Sequence, residues 1–526
     1  MELLTDQETL KSHSTDASLF EVTPQAVVFP ENVAEIQELV KTNTSSLTVR
    51  AAGTDMTGGP LNTGTIVDVK NLNHVKEVGT DFAVTEPGVF YRDFEKETLK
   101  YGLLLPCYPA SRELCAMGGI VSNNSAGEKT LTYGQTKDYL QQVKVVLRDG
   151  NEYTFHELTR AEVNKKMLQH DLEGEIYGKM FDLITRNDEL IRNAKPKVSK
   201  NSSGYLLWEV WDRDRQTFNL AKLFCGSQGT LGIITEAKLR LIRPKEHSTL
   251  LVIFLSDLKQ LADVVASVLK HKPESFESYD DHTMRIALRY LPDFIKLMGA
   301  KNLFSLAWQF LPEMGMVLTG GVPKLILEAE FTGDSEEEIY AKARAAQADL
   351  ARFGLKTRIA KNDQEEKKYW TVRRESFNLL RHHVHGRHTA PFIDDIVVRP
   401  ERLPEFLPKL TAIMKEYKLI YTIAGHIGDG NFHIIPLMKM SDPKSRLIIP
   451  ELAKRVYELV FQFGGSMSGE HNDGMIRSPF LKQMYGDQVY ALFEETKRIW
   501  DPKNIFNPGK KIGANLSYAM EHLKVS

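Results

Sequence analysis

Leu47-Thr48-Val49-Arg50 runs without a break into Ala51-Ala52-Gly53-Thr54-Asp55-Met56-Thr57-Gly58-Gly59. The first four residues read as a short strand, the rest as a glycine- and hydroxyl-rich loop. Glycines let the backbone come close to a ligand, and exposed N–H groups cradle a diphosphate without any lysine. Three further stretches share this character: Met117-Gly118-Gly119-Ile120-Val121-Ser122-Asn123-Asn124-Ser125-Ala126-Gly127, residues 133–138 beginning Tyr133-Gly134, and Gly226-Ser227-Gln228-Gly229-Thr230-Leu231-Gly232-Ile233-Ile234-Thr235. Any one alone is a tight turn. Four in one half of the chain point to a bound nucleotide, with Thr54, Thr57, Ser111 and Asn124 as neutral donors. The chain has no GxxxxGK[ST] loop and no strand-associated GxGxxG in its first βα turn, which sets aside two common nucleotide folds.

Outward from this loop, short apolar strands alternate with helices. Residues 26–29 read as a strand stopped by Pro30. Asn32 then caps a helix that carries Ile36, Leu39 and Val40 at helical spacing. Residues 65–69 form another strand, and 91–101 a helix ending at Gly102. Residues 157–200 are charged and helical, and read as a surface insertion. Pro244 and Lys245 mark a boundary. After it, strands at 249–255 and 325–331 alternate with helices at 257–271 and 335–353. From about Gly465 the chain is mostly helical.

The 526 residues are 42% hydrophobic and 26% charged, as in ordinary globular proteins. Lys and Arg number 67 against 69 Asp and Glu, a net charge of −2, so no global basic field invites nucleic acid or an anionic membrane. Three cysteines, Cys107, Cys115 and Cys225, rule out a disulfide framework, a four-cysteine zinc site and a self-contained iron–sulfur cluster. The longest apolar run, 250–255, is of core-strand length, and the polar N-terminus lacks the features of a signal peptide. The expected location is cytoplasmic, with peripheral membrane attachment through a partner left open.

Loop 50–59, the series Pro109-x-Ser111, Gly118-Gly119, Asn123-Asn124-x-x-Gly127 and Tyr133-Gly134, and Gly229-Thr230-Leu231-Gly232 resemble the FAD-binding domain of vanillyl-alcohol-oxidase-type flavoproteins. Ala424-Gly425-His426-Ile427-Gly428-Asp429-Gly430-Asn431-Phe432-His433, Ser468-Gly469-Glu470-His471-Asn472-Asp473-Gly474 and Asp501-Pro502 … Asn507-Pro508-Gly509 resemble that family's FAD-linked oxidase C-terminal domain. The resemblance runs from about residue 22 to 512. It implies an α+β fold with an N-terminal extension over 1–21, a FAD-binding domain over 22–245 and a substrate or cap domain over 246–464. A C-terminal segment, 465–526, completes the site and returns to the FAD domain. The implied FAD contacts are Ala52, Gly53, Thr54, Asp55, Thr57, Gly58, Pro109, Ser111, Gly118, Gly119, Asn123, Asn124, Gly127, Tyr133, Gly134, Gly229, Thr230, Gly232, Ile233 and Asn507. Loop 50–59 has no histidine or cysteine, so FAD is expected to be non-covalent. The implied activity is that of D-lactate and D-2-hydroxyglutarate dehydrogenases, with hydride passing from the substrate Cα to flavin N5. Arg374-Glu375-Ser376-Phe377, 390–395 and 433–436 resemble the branch fused to an iron–sulfur module.

His426, His433 and Glu470 read as a metal triad: two imidazoles and a carboxylate suit a divalent ion such as zinc or manganese. The histidines are seven positions apart around Gly428-Asp429-Gly430, so a strand–turn–strand is expected rather than a helical pair. Such an ion chelates an α-hydroxy acid and lowers its hydroxyl pKa. His471 is then the candidate general base. Arg373 stands where the resemblance implies a carboxylate-binding arginine; Arg374 is its neighbour, and a helix would turn only one of them inward. Lys200 and Arg477 are lesser anion-contact candidates. Two departures bear on the substrate: Ile435 stands where hydroxyglutarate dehydrogenases often carry asparagine, and no basic residue is evident near Asp394. The His-rich stretch 381–388 reads as a solvated loop between a helix and a strand at 392–398. With three scattered cysteines, the electrons are expected to leave to a separate acceptor: a quinone, an iron–sulfur protein or an electron-transfer flavoprotein. A homodimer is compatible with the sequence. Rival readings are a metallohydrolase using the same triad and an inactive flavin-binding scaffold.

Overall fold

The computed structural model describes residues 2–281, 283–285, 323–383 and 386–525, with the main chain alone over 375–383. Strands β1 (Ala26–Val28), β2 (Leu47–Arg50) and β3 (Thr65–Asp68) form a small parallel sheet in the order β1-β3-β2. Parallel strands need a crossover, and helix Val33–Thr42 provides it between β1 and β2. The Asn32 side chain accepts the Glu35 N–H at its N-terminus, while Ile36, Leu39 and Val40 are buried against Val28, Leu47 and Val67.

A second sheet is antiparallel. It contains β4 (Val75–Val78), β5 (Phe82–Thr85), β6 (Leu140–Val146), β7 (Glu152–Thr159), β8 (Trp211–Asp212), β9 (Thr217–Asn219) and β10 (Ile233–Arg240), in the order β4-β5-β10-β6-β7-β9-β8. The stretch 157–200 is not the surface insertion its charge suggested. It begins in β7, and helix Leu172–Arg186 buries Ile176, Tyr177, Met180, Leu183 and Ile184 in the core of this sheet. Most of its charged residues lie on the outer face, although Glu173 is buried and ion-paired with Lys166. Helix Leu481–Trp500 returns from the far end of the chain to the same core, where Trp500 lies edge-on to Phe155 and Phe224 at 5.2 Å. Such aromatic pairs add about 0.5–1.5 kcal/mol each beyond the area they bury.

The third sheet starts at residue 247. It comprises β11 (His247–Leu255), β12 (Ser275–Asp280), β13 (Leu325–Gly333), β14 (Lys356–Ile359), β15 (His388–Thr389), β16 (Ile396–Val397), β17 (Ile420–His426) and β18 (Asn431–Met438). The order is β14-β11-β13-β12-β17-β18-β15, with β16 also paired to β18. Of the strand expected at 392–398, only β16 forms. Helices Leu261–Leu269, Glu336–Leu350, Leu403–Glu416 and Pro443–Gln462 cover one face through a continuous apolar cluster. Side chains alternate along a strand, so Phe432 and Ile434 enter that cluster while His433 and Ile435 face the other way.

Glu328 breaks the apolar pattern of β13. It is fully buried beside its cross-strand neighbour Glu277, and neither of its carboxylate oxygens has a hydrogen-bond partner among the described residues. Burial pushes its carboxyl up to about 8, although Arg373 opposes the shift. A folded-state pKa above the unfolded one means the folded chain binds the extra proton. Glu328 is therefore a destabilising group that grows in cost as pH rises from its ordinary 4.5 through about 8. Glu328→Gln is expected to flatten the fall in stability across that window, read from urea unfolding at pH 5 and pH 8. An unchanged pH slope would contradict the assignment.

Candidate active site

A cavity of about 680 Å³ opens between the three sheets, within the usual size range for small-molecule and cofactor pockets. One half is lined by Ala51, Ala52, Gly53, Thr54, Asp55, Pro109, Ser111, Gly118, Gly119, Asn123, Gly229 and Gly232. The other half presents Arg373, Arg374, Thr422, Ala424, His426, His433, Ile435, Glu470 and His471.

The glycine-rich stretches differ from their expected form. Residues Met117–Asn123 are a short helix rather than a loop. A Cβ on Gly118 would stand 2.6 Å from the Cβ of Pro87, so this glycine lets the helix pack on residues 87–89. Gly119 instead faces open space, with only Ala51 Cβ at 3.9 Å. The segment 133–138 does not reach the cavity: Tyr133 donates its hydroxyl to Glu274 at 2.7 Å, and Gly134 turns against Asp138. Ile233 points into the core of the small sheet, and its neighbour Ile234 lines the cavity in its place.

Thr57, Gly58, Asn124, Gly127, Thr230 and Asn507 lie behind the lining. The Thr57 hydroxyl donates to Asp55 at 2.7 Å, and Thr230 Oγ1 to the Ser227 carbonyl at 2.7 Å. Asn124 ends the 117–123 helix in the left-handed region, its Oδ1 accepting the Lys137 N–H. A Cβ on Gly58 or Gly127 would strike Phe20 or the Tyr108 carbonyl. Asn507 Nδ2 donates to the carbonyls of Gly59 and Gln228 at 2.9 and 2.7 Å, tying loops 51–59 and 226–232 together.

In the other half, β17 ends at His426, a single turn covers Ile427–Asp429, and β18 brings His433 back opposite Ala424. The turn closes on Gly430 at φ 66°, where a Cβ would also strike the Val398 carbonyl. The histidine rings stand 5.2 Å apart at 89°. Ligand atoms of His426, His433 and Glu470 all fall within 4.8 Å of one another.

Each imidazole is oriented by a buried carboxylate. His426 Nδ1 is 2.7 Å from Glu277 Oε1, while its Nε2 is 3.0 Å from Glu470 Oε1. Asp394 lies between two histidines: Oδ1 is 3.1 Å from His433 Nδ1, and Oδ2 is 2.7 Å from His471 Nδ1. Carboxylates in this position fix the tautomer and ring direction of metal-binding histidines. Burial alone would lower the His471 pKa, but Asp394 and Asp395 lift it to about 9. Burial would likewise lower His426, but Glu277 outweighs it and lifts His426 to about 8. Burial works to raise Glu470, yet Lys200 and His426 hold it well below the usual carboxylate range.

Asp395, at φ 67°, fixes the loop that carries Glu470 and His471. Its Oδ2 accepts Ser468 Oγ at 2.6 Å and the N–H groups of Glu470 and His471 at 2.8 and 2.7 Å.

Helix Asp363–His383 separates the two arginines. Arg373 forms an ion pair with Glu277 beside His426, whereas Arg374 holds both oxygens of Glu128 at 2.7 Å. Lys200 and Arg477 are not free anion contacts. Lys200 is fully buried on Glu470, and Arg477 donates to the carbonyls of Asn472 and Asp394. Residues 381–383 of the His-rich stretch form the end of helix Asp363–His383 rather than a loop, residues 384–385 and the side chains over 375–383 lie outside the described residues, and His388 is exposed in β15. All three cysteines are buried, with thiols pushed up to about 12 by burial.

Sequence reasoning missed Glu277, Asp394 and Asp395 as positioning groups. The signal for Glu277 was an acid between Phe276 and Tyr279 in an otherwise strand-forming run.

The donor set fits both implied groups. His426 and His433 each have Nδ1 facing a carboxylate and Nε2 left for an ion, and the Gly119 and Gly229 backbones face the cavity where side chains would fill it. Among the described residues, no helix is long and apolar enough to cross a membrane.

Comparison with known proteins agrees with this architecture. Residues 24–156 match a FAD binding domain, and residues 244–511 match the C-terminal domain of FAD linked oxidases. The chain is 27% identical over 511 residues to a D-2-hydroxyglutarate dehydrogenase of Pseudomonas putida, covering 94% of this chain and 49% of that protein. It is 26% identical over 516 residues to a D-lactate dehydrogenase of Archaeoglobus fulgidus, covering 95% of this chain and 96% of that one. The chain thus spans about half the length of the first of these relatives. The fold is shared with 4-ethylphenol oxidase from Gulosibacter chungangensis, at a TM-score of 0.68 and 15% identity, covering 97% of this chain and 94% of that one. The family match extends over half of the chain, and with the fold it makes this protein a member of the FAD-linked oxidases.

Proposed function

We propose that the chain is a FAD-dependent dehydrogenase that oxidises a D-2-hydroxy acid, of the D-lactate or D-2-hydroxyglutarate type, to the 2-oxo acid with the help of a divalent metal. The observation that carries this reading is the joining of the glycine-lined wall and the His426, His433, Glu470, His471 and Arg373 group in one cavity. Bound FAD supplies a two-electron acceptor, and an ion held by His426, His433 and Glu470 supplies Lewis acidity toward a hydroxyl and a carboxylate.

The chain's own residues do the rest. Arg373 presents a planar fork to the substrate carboxylate. His471, with Nδ1 facing Asp394, has Nε2 left to take the hydroxyl proton. It takes that proton only in its neutral form, which added positive charge beside it favours. Residues 22–245 serve as the FAD domain and 246–464 as the substrate domain, with 465–526 completing the site and returning to the first. The D-2-hydroxyglutarate and D-lactate dehydrogenases among its relatives support the reaction class. We assign reoxidation to a separate acceptor, a quinone or an electron-transfer protein.

The test is anaerobic mixing of the FAD-loaded protein with D- and L-2-hydroxy acids. A D-acid is expected to bleach the flavin absorption, and its L-enantiomer to leave it unchanged. A spectrum that no 2-hydroxy acid alters would overturn the reading. Reoxidation by air as fast as turnover would overturn the separate acceptor.

A further inference from the structure

The FAD-binding match begins at residue 24 and the C-terminal match ends at residue 511, so both chain ends lie outside the family regions. The two ends nevertheless meet each other, and the N-terminal one packs on the glycine-rich loop 51–59. The Ala17 N–H donates to the Asp55 carbonyl at 3.0 Å, and Ala17 itself lines the cavity. Phe20 is fully buried against Gly58, where an added Cβ would stand 2.9 Å from its ring. His13 Nε2 lies 3.0 Å from Asp68 Oδ2 at the end of β3, one of the strands that flank this loop.

The C-terminus locks this segment from outside. Glu21 N–H donates to the His522 carbonyl at 2.8 Å, Lys524 N–H to the Leu19 carbonyl at 2.9 Å, and Lys524 Nζ to the Ser18 carbonyl at 2.8 Å. Beneath the loop, the Arg50 guanidinium packs directly on Gly53 and sits in the field of Asp16 and Asp68. Arg50 Nη1 and Asp16 Oδ2 are both buried without a hydrogen-bond partner among the described residues.

We propose that residues 13–20, clasped by residues 522–524, are part of the cofactor site: they hold loop 51–59 in the form that takes FAD. The proposal rests on FAD binding alone and not on the identity of the substrate. A free loop of this glycine content would have to be ordered when FAD binds, at an entropic cost that the clasp meets in advance. The clasp also gives the N-terminal segment a task that the family regions leave unassigned.

The test measures the FAD dissociation constant of the full-length protein by flavin fluorescence. Ala17→Pro, which removes the N–H donor, and His13→Ala are each expected to weaken FAD binding by about tenfold, the effect of one lost hydrogen bond. Glu8→Ala, on the exposed helix before the clasp, is expected to leave it unchanged. Hydrogen exchange on the unaltered protein provides the second readout, independent of whether a variant folds. FAD is expected to slow exchange at Ala17 and its neighbours by about tenfold or more. Dissociation constants within twofold of the unaltered protein in folded variants, or exchange over 13–20 indifferent to FAD, would overturn the proposal. Neither readout involves a hydroxy acid, so failure here is separable from failure of the proposed reaction.

Discussion

His433→Ala is expected to lower turnover by about 10³-fold while the protein stays yellow, since a metal acting as Lewis acid contributes several kcal/mol to transition-state stabilisation. Of the three proposed ligands, His433 is the one to remove for a clean result. Its ring is partly exposed to the cavity, and Asp394 pairs with His471 at 2.7 Å through the oxygen that His433 does not use. Glu470 is a poorer probe, because its loss strands the fully buried Lys200 ammonium without its nearest carboxylate. The glycine-lined wall contains none of these ligands, so FAD is expected to remain bound. Metal content, flavin absorption and turnover measured on one preparation separate the effects. Wild-type turnover in this variant would remove the metal from the account.

Gly119→Phe is expected to yield a colourless protein, with FAD binding weakened by at least about 10³-fold, or about 4 kcal/mol. Gly119 faces the cavity with only Ala51 near, so the new ring would lie in the space between loop 51–55 and the 117–123 helix. Gly118 is a different case. A side chain there would collide with Pro87 and disturb packing rather than fill the cavity. Gly118→Phe is therefore a folding variant, and Gly119→Phe a binding one. Flavin absorption and a folded far-ultraviolet spectrum tell them apart. A yellow Gly119→Phe protein would place the cofactor elsewhere.

The hairpin that carries the two histidines was legible because Gly428-Asp429-Gly430 is a turn by local chemistry alone, and β17 and β18 follow from it. The separation of Arg373 from Arg374 was equally local, since adjacent helix positions point about 100° apart. What escaped the sequence was tertiary. Asp394 reaches His433 and His471 across 39 and 77 positions, and Glu277 reaches His426 across 149. Nothing in local spacing announces such pairs, although the Asp394-Asp395 doublet was a visible acid cluster.

The misreadings had physical causes too. Gly118-Gly119 suggested a loop, but packing on Pro87 makes the segment helical despite its low intrinsic propensity. In 172–186 the many charges obscured Ile176, Tyr177, Met180, Leu183 and Ile184, whose spacing is that of a buried helical face.

The central claim is that the metal group and the FAD wall act as one site. The most direct measurement is anaerobic reduction of the bound flavin by a D-2-hydroxy acid, before and after complete metal removal by chelation, with zinc or manganese then restored. The account predicts rapid bleaching in the metal-loaded protein, loss of that bleaching in the metal-free protein with FAD still bound, and recovery on adding metal. Equal bleaching rates with and without metal would contradict it.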